Sequence, residues 1–297
     1  MAEIEFFQAQ RPRLFSIAYR MLGSATEAED VLQDAWLRLH NAGPGEVRSP
    51  QALAATIVTR LCLDRAKSAR ARREEYTGSW LPEPILTRRE EGPDVLVERS
   101  ESVTLAFLVL LDTLSPEERA VFLLKEVYDY EHSEIAGILG TTATNSRQLL
   151  HRARSKIRPG RAAGRRDPEA RRALAAQFAE AFRSGDTPRL AQLLAADVTF
   201  VADGGGKAAA ARRPLNGRDP VLKLLAGLYR SGVANGVASR ARVEVVEVNS
   251  EPAVALRVGG ELDAVFVLAI EGDRVAAIRV VRNPDKLGYL KRQISAS

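Results

Sequence analysis

The chain has 297 residues, enough for two or three domains, and its 45% apolar content is ample for packed cores. The net charge of +5 is modest, but basic residues crowd into stretches 65–73, 147–158 and 161–172, a distribution that suits a polyanionic partner beyond the weak binding any basic protein shows. The single cysteine, Cys62, excludes an intrachain disulfide and a cysteine-rich zinc site. Its neighbours Ile57, Val58, Leu61 and Leu63 predict a buried apolar role for it. Glu3 and Glu5 come early with no apolar core after them, so no leader peptide is expected, and no run approaches the roughly 18 apolar residues of a membrane span. A cytoplasmic protein with no membrane partner is expected.

Residues 1–75 read as wholly helical. A first helix carries Phe6, Phe7, Leu14, Phe15, Ala18, Tyr19 and Leu22, with a break expected near Pro12. A second begins after Ser24 and presents Ala28, Val31, Leu32, Ala35, Trp36 and Leu39. Residues 41–45, Asn-Ala-Gly-Pro-Gly, form a loop. A third helix starts after Ser49-Pro50 and runs into the basic stretch ending near Arg73. Residues 76–100 read as a linker. Its Trp80-Leu81-Pro82-Glu83-Pro84 run cannot be helical, because two prolines sit one residue apart. An exposed tryptophan in a loose loop is wasteful, so Trp80 is expected to dock on this chain or on a partner.

Residues 101–160 form a second helical domain, and its stretch 114–157 carries the sharpest signal. Ser115 can cap a helix, Pro116 sits at the first helical position, and Glu118 can close a capping box ahead of Val121, Phe122 and Leu124. A short helix over about 133–139 turns Ile135, Ala136 and Leu139 inward, and Gly140 stops it. Thr142 can cap the next helix, which runs through Ile157. At about 100° per residue, Ser146, Leu149, Leu150, Ala153 and Ile157 share one side of it. Thr144, Arg147, Gln148, His151, Arg154 and Ser155 share the opposite side, with Arg152 at the flank. Long cations, an amide and an imidazole on one face can read base edges in a major groove and hold phosphates beside it. A lone basic helix is more often a solvated face, but the short helix, the Gly140 turn and the outward cluster together point to a helix-turn-helix.

Residues 160–166 form a basic, small-residue hinge, and from Pro168 the pattern becomes α+β. Helices are expected over about 169–183, 187–195 and 220–231. Strands are expected over about 198–202, 241–249, 253–258, 262–271 and 275–282, with hairpin turns at Gly259-Gly260 and Gly272-Asp273. An antiparallel meander curling over helices follows. All three histidines, His40, His132 and His151, lie outside this part, and lone acids at Asp197, Asp203 and Asp263 are weak evidence for catalysis. The Gly204–Gly206 run could cradle an anion with Lys207, but without phosphate-loop spacing it reads better as a contact loop. After the last strand, Pro284 ends the sheet and Leu287, Tyr289 and Leu290 offer apolar contacts on a tail.

The run from Ala28 to Trp36, Ala-Glu-Asp-Val-Leu-Gln-Asp-Ala-Trp, resembles the core-binding helix of bacterial sigma factors. The helix-turn-helix ending His151-Arg152-Ala153-Arg154 resembles their fourth conserved region. The short spacing between them is similar to extracytoplasmic-function (group IV) sigma factors. The Trp80–Pro84 run, Asp203-Gly204-Gly205-Gly206-Lys207 and Asn283-Pro284-Asp285-Lys286-Leu287 resemble, in order, motifs of the SigJ-like subgroup, which carries a C-terminal SnoaL-like, NTF2-like domain.

The resemblance implies a multidomain architecture: two all-α sigma domains at 1–75 and 101–160, the linker at 76–100, and an α+β cone at 168–297. Core RNA polymerase, through its β′ coiled coil and β flap, and promoter DNA are the implied partners. Glu27, Asp30, Gln33 and Asp34 are the implied polymerase contacts; Asp30 and Asp34 are like charges one turn apart, which a basic partner would relieve. Thr59, Arg60, Asp64, Arg65, Lys67 and Arg70 are implied at the opened −10 element, although the region is poor in stacking aromatics and Arg60 stands where many relatives place asparagine. Arg147, Gln148 and His151 are implied at −35 base edges, and Thr144, Arg152 and Arg154 at phosphates. Trp80, Pro82, Asp203, Gly204, Lys207, Asn283, Pro284, Asp285, Lys286 and Leu287 are implied in contacts by which the C-terminal domain tunes the sigma domains in cis.

No cofactor, metal or catalytic residue is implied, and a small ligand in the cone is a further expectation. Two other readings fit parts of the chain. A ligand-sensing helix-turn-helix regulator would not need the acidic helix or the second basic helix. A SnoaL-like enzyme with a fused DNA-binding module lacks histidines in its cone.

Overall fold

The computed structural model describes residues 2–41, 50–74, 76–87, 104–157 and 167–295. Of the expected loop at 41–45, Asn41 belongs to a helix, and residues 42–45, the distal linker and the hinge at 160–166 lie outside the described residues. The chain divides into two units, one of residues 1–75 and 107–158, the other of residues 76–106 and 159–297. The expected free-standing linker is therefore not a separate piece. Residues 76–87 cluster with the C-terminal domain because Leu81, Pro82, Glu83 and Pro84 are all buried there.

The first unit is helical. Helices α1 (Ala2–Leu22), α2 (Ala25–Asn41) and α3 (Pro50–Glu74) pack through Leu14, Ile17, Ala28, Val31, Leu32, Ala54 and Val58. Helix α1 is not broken at Pro12. Proline removes an N–H and disturbs the carbonyl four residues back, here that of Gln8. Gln8 and Pro12 both face solvent, so water can take that carbonyl. After α4 (Leu105–Leu111), the capping box closes as expected. Ser115 Oγ accepts from Glu118 N at 3.1 Å and Glu118 Oε2 accepts from Ser115 N at 2.9 Å. Helix α5 (Pro116–Phe122) then widens into a π-turn over Leu123–Val127.

Helices α6 (His132–Leu139) and α7 (Ala143–Lys156) are joined through Gly140 at φ +65°. Thr142 Oγ1 caps α7 by accepting from Asn145 N at 3.1 Å. The guanidinium of Arg119, buried at 6% exposure, donates to the carbonyls of Leu111 and Met21, each at 2.9 Å, and to Asp112 at 2.8 Å. It ties α5 to the end of α1 by satisfying carbonyls that a helix end leaves open.

The second unit is a six-stranded sheet under helices α8 (Pro168–Ser184), α9 (Thr187–Leu193) and α10 (Arg218–Ala234). Strands β1 (Leu194–Asp203), β2 (Leu215–Asn216), β3 (Ala241–Val248), β4 (Glu251–Val258), β5 (Glu261–Glu271) and β6 (Arg274–Val281) lie in the order β2-β1-β6-β5-β4-β3. The meander β3 to β6 is antiparallel as expected, whereas β1 joins β6 in parallel. Phe178, Leu190, Leu193, Val221 and Leu225 from the helices meet Phe200, Val254, Phe266, Leu268 and Ile278 from the sheet. The rings of Phe182 and Phe266 stand 5.3 Å apart. The residues after the last strand are not a loose tail. They form α11 (Pro284–Ser295), with Pro284 at its first position and Lys286, Leu287 and Leu290 buried.

Candidate functional site

The outward face of α7 is built as the sequence implies. Leu149, Leu150, Ala153 and Ser146 are buried against the first unit. Thr144, Arg147, Gln148, His151, Arg152 and Arg154 are all exposed. Arg154 also bonds Glu126 Oε1 at 2.6 Å, so its cation is already partly compensated. At the far end, Lys156 bonds Glu118 Oε2 at 2.6 Å. Burial pushes the Glu118 carboxyl up, but Lys156 and the Ser115 amide outweigh it and hold it below its usual range.

On α2, Asp30 and Gln33 are exposed while Glu27 and Asp34 are half-buried. Glu27 donates its amide to Ser24 Oγ at 3.1 Å, the cap that starts the helix. A groove of about 470 Å³ runs between α1 and α2, lined by Phe7, Arg11, Glu29, Asp30, Gln33 and Trp36. Arg11 pairs with Glu29 across it. The groove sets the rings of Phe7 and Trp36 beside the carboxylates of Glu29 and Asp30 and the guanidinium of Arg11.

Helix α3 departs from expectation at three of its six assigned positions. Thr59 is fully buried on the inward stripe with Ala55, Val58 and Cys62, so it does not face a ligand. Burial likewise pushes the Cys62 thiol far above its ordinary range, as fits an inert core thiol. Arg60 Nε donates to the Ile138 carbonyl at 2.8 Å and its terminal nitrogen to the Gly137 carbonyl at 3.1 Å. Those carbonyls close α6, where the helix dipole is negative. Arg65 is turned onto α2, 2.7 Å from Asp34 and 3.6 Å from Asp30. Asp64 and Lys67 are exposed, with Lys67 3.8 Å from Glu117. The side chain of Arg70 lies outside the described residues.

In the second unit the three short motifs converge on one buried carboxylate. Asp203 ends β1 with no exposed surface. Its Oδ2 accepts from Leu81 N at 2.8 Å and Lys286 Nζ at 2.6 Å; its Oδ1 accepts from the Tyr76 hydroxyl at 2.5 Å and Gly205 N at 3.0 Å. Lys286 also donates to the Leu81 carbonyl at 2.5 Å, and its ammonium lies 4.3 Å from the Trp80 ring centre and 4.8 Å from that of Tyr76. The expected docking of Trp80 is thus a cation–π contact. Asn283 Nδ2 donates to the Tyr76 hydroxyl at 2.8 Å. Burial, then the bond to Asp203, pushes the Tyr76 phenol up, so it stays a donor.

The glycines serve this clasp. Gly205 has φ +59°, and a Cβ there would fall 2.2 Å from Asn283 Nδ2. A Cβ on Gly204 would fall 2.2 Å from the Ala208 carbonyl oxygen. Lys207 pairs with Asp285 at 2.5 Å on the surface, so the loop's cation meets a side chain of the third motif. Pro82 and Leu287 are buried, and Pro284 is exposed. Of the other acids considered, Asp263 pairs with Arg282 at 2.8 Å.

Sequence reasoning missed several participants. Tyr76 precedes the motif it belongs to. Asn249 and Ser250, at φ +53° and +58°, make the tight turn between β3 and β4. Asn249 donates its amide to the Ile85 carbonyl at 3.0 Å and accepts from Ile85 N at 3.1 Å. Leu86 then bridges to Val248. An Asn-Ser pair between strand runs was the available signal. Glu251 accepts from Leu105 N at 2.9 Å, and His132 Nδ1 lies 2.9 Å from Ser146 Oγ.

Comparison with known proteins agrees with this geometry. Residues 6–72 match the family model for sigma-70 region 2, and residues 104–157 that for sigma-70 region 4. The chain is 34% identical to the extracytoplasmic-function sigma factor SigJ of Mycobacterium tuberculosis, over 96% of this chain and 93% of that one. It is 31% identical to the probable sigma factor SigI of the same species, over 97% and 96%. The crystal structure of M. tuberculosis SigJ matches 96% of this chain and 98% of its own, with a TM-score of 0.76 at 32% identity.

Proposed function

Because this chain belongs to the extracytoplasmic-function RNA polymerase sigma factors, directing promoter-specific initiation of transcription, we propose how its surfaces divide that work. The acidic face of α2, with Asp30 and Gln33 outermost and Glu27 and Asp34 behind them, receives the β′ coiled coil of core polymerase. Arg147, Gln148 and His151 read base edges of the −35 element, while Thr144, Arg152 and Arg154 hold phosphates. On α3, Asp64, Lys67 and Arg70 serve the −10 element, and Arg60 and Arg65 join them only after leaving their present partners. Thr59 supports the helix from inside.

The observation that carries this reading is the pairing of two faces in one chain. One is an exposed Arg147–Gln148–His151 cluster on the second helix of a helix-turn-helix, and the other an acidic groove on α2. A free-standing repressor has no use for the groove. The C-terminal domain acts by binding rather than by catalysis, tuning the sigma regions in cis. The clasp on Tyr76, Trp80 and Leu81 supports this, since it grips the segment between the two sigma regions.

The test assembles the full chain with core polymerase and measures run-off transcription from promoters selected out of a randomised pool. Asp30→Arg is expected to cut core binding at least about tenfold while leaving the fold intact, since the residue is exposed. Full core binding by that variant overturns the assignment of α2.

A further inference from the structure

We propose that promoter binding by the helix-turn-helix takes up a proton at His132. The proposal rests on the reading of α7 as the DNA-contacting helix. His132 opens α6, and its Nδ1 lies 2.9 Å from the hydroxyl of Ser146, a residue with no exposed surface that directly precedes Arg147 on α7. The imidazole is thus half-buried between the two helices of the motif.

Cations of α7 and the π-turn act on it, with carboxylates interleaved among them. The charges of Arg147 and Arg154 on α7 and of Lys125 in the π-turn disfavour a proton on it, and the α6 N-terminus adds the positive end of a helix dipole. The opposing carboxylate is Glu131, which already takes Lys125 at 3.1 Å and caps the first turn of α6. Of the other acids nearby, Glu126 is held on Arg154 at 2.6 Å, Asp129 lies 3.5 Å from Lys125, and Glu134 accepts from Glu131 N at 2.7 Å. Burial first, then Arg147 and Lys125, keep the ring below its ordinary 6.5. In the free protein it is therefore neutral at physiological pH.

DNA reverses the sign. Duplex DNA carries about one negative charge per 1.7 Å, and its phosphates would neutralise Arg147 and Arg154, the two cations on α7 that now repel a proton from the ring. The Ser146 hydroxyl can donate to a neutral Nδ1 or accept from a protonated one. The contact between the helices therefore survives protonation, with no movement of the ring. The proton comes from solvent and adds at Nδ1, which then donates to Ser146 Oγ, while Nε2 carries its N–H in both states. Promoter affinity is then coupled to pH through a side chain that need not read any base.

The test uses holoenzyme assembled from the full chain and a fluorescent promoter duplex that this holoenzyme has selected from a randomised pool. Affinity is measured from about pH 8 to about pH 6 at fixed ionic strength. Uptake of one proton raises affinity by at most about tenfold per pH unit, and a three- to tenfold rise over the range is expected. His132→Gln, whose amide can keep the Ser146 bond, should match the wild type at high pH within about twofold and lose that part of the slope. His151→Gln removes the exposed imidazole of α7 and should leave the His132 part of the slope in place. Equal slopes for the wild type and His132→Gln overturn the proposal. Should His132→Gln fail to fold, the His132 ring signal in the wild-type chain decides. Its titration must move to higher pH when the duplex is added with core polymerase, and an unmoved titration overturns the proposal. Failure of the holoenzyme to select any promoter overturns the DNA-reading assignment and the proposal together.

Discussion

Arg60 Nε lies 2.8 Å from the carbonyl oxygen of Ile138, so a cation of α3 closes the C-terminal end of α6. A second bond reaches Gly137 at 3.1 Å. Elements at −35 and −10 are separated by about 25 base pairs, roughly 85 Å of duplex at 3.4 Å each. If α3 and α7 take the proposed −10 and −35 roles, a unit in which α3 touches α6 cannot lie on both, and promoter engagement is expected to break these two bonds. Arg60→Asn is too short for either carbonyl. Amides of residues 139–141 should exchange about five- to tenfold faster in that variant, as expected for losing about 1 kcal/mol from an exposed, charge-assisted contact. Unchanged exchange there would show that Arg60 does not hold the two helices together.

The clasp around Asp203 predicts an asymmetric mutational pattern. Removing one partner of a buried ion pair leaves the other unpaired, at a cost of about 3–5 kcal/mol. Asp203→Ala and Lys286→Ala should each lower stability by that order, and Trp80 fluorescence should report loss of the ammonium over its ring. The pair Asp203→Ala with Lys286→Met should recover part of the loss, because neither charge then remains buried. Additive losses in the double variant, measured by urea unfolding, would count against an ion pair as the source. Deleting the chain from Asn283 onward is a poor test of regulation by comparison, since it also strips buried Leu287 and Leu290.

The elements that were legible in the sequence are those fixed by neighbours along the chain. Ser115 with Glu118, Gly140 and Thr142 are local devices, and each does what its spacing implies. The outward face of α7 was legible for the same reason, since a helical period places Arg147 opposite Leu149. What escaped depends on tertiary partners. The parallel pairing of β1 with β6 joins Thr199 to Ala277, and no local signal marks it. Thr59 and Arg60 are adjacent, yet one is buried and the other bonds a carbonyl 78 residues away. The Asn283–Leu287 motif was legible as a contact element but not as a helix start, because Pro284 both ends a sheet and opens a helix.

Glu251 supplies a pH-dependent prediction. It is 4% exposed and accepts from Leu105 N at 2.9 Å within the same unit. Burial pushes its carboxyl above the usual 4.5, and Arg279 and the Leu105 amide only partly offset this. A carboxyl raised in the folded state favours folding when protonated, so its contribution grows as pH falls through the raised value towards 4.5 and vanishes as a pH effect on either side. Glu251→Gln, which keeps an acceptor without the charge, should therefore be at least as stable as the wild type near about pH 8 and lose that relative advantage near about pH 5. Glu251→Ala leaves the Leu105 amide without its acceptor and should cost about 1–3 kcal/mol at both. A Gln variant that loses stability relative to the wild type on going to the higher pH would mean that the carboxylate is the preferred form.

On the proposed assignment, Arg147 reads a base edge and Arg152 holds phosphate, and the two variants tell these roles apart. Both are exposed on α7, but Arg147 lies at the centre of the outward face and Arg152 at its flank. A side chain that forks onto a base edge contributes about 1–3 kcal/mol of discrimination at one position. One that meets phosphate contributes nearly equally on every sequence and adds close to one unit to the salt dependence. In transcription from a promoter library, Arg147→Ala should relax preference at a single −35 position. Arg152→Ala should lower output on all promoters by a similar factor and flatten the dependence of holoenzyme binding on salt. If Arg147→Ala instead gives the uniform loss, the base-reading role moves to Gln148 and His151, the remaining exposed groups at the centre of the same face.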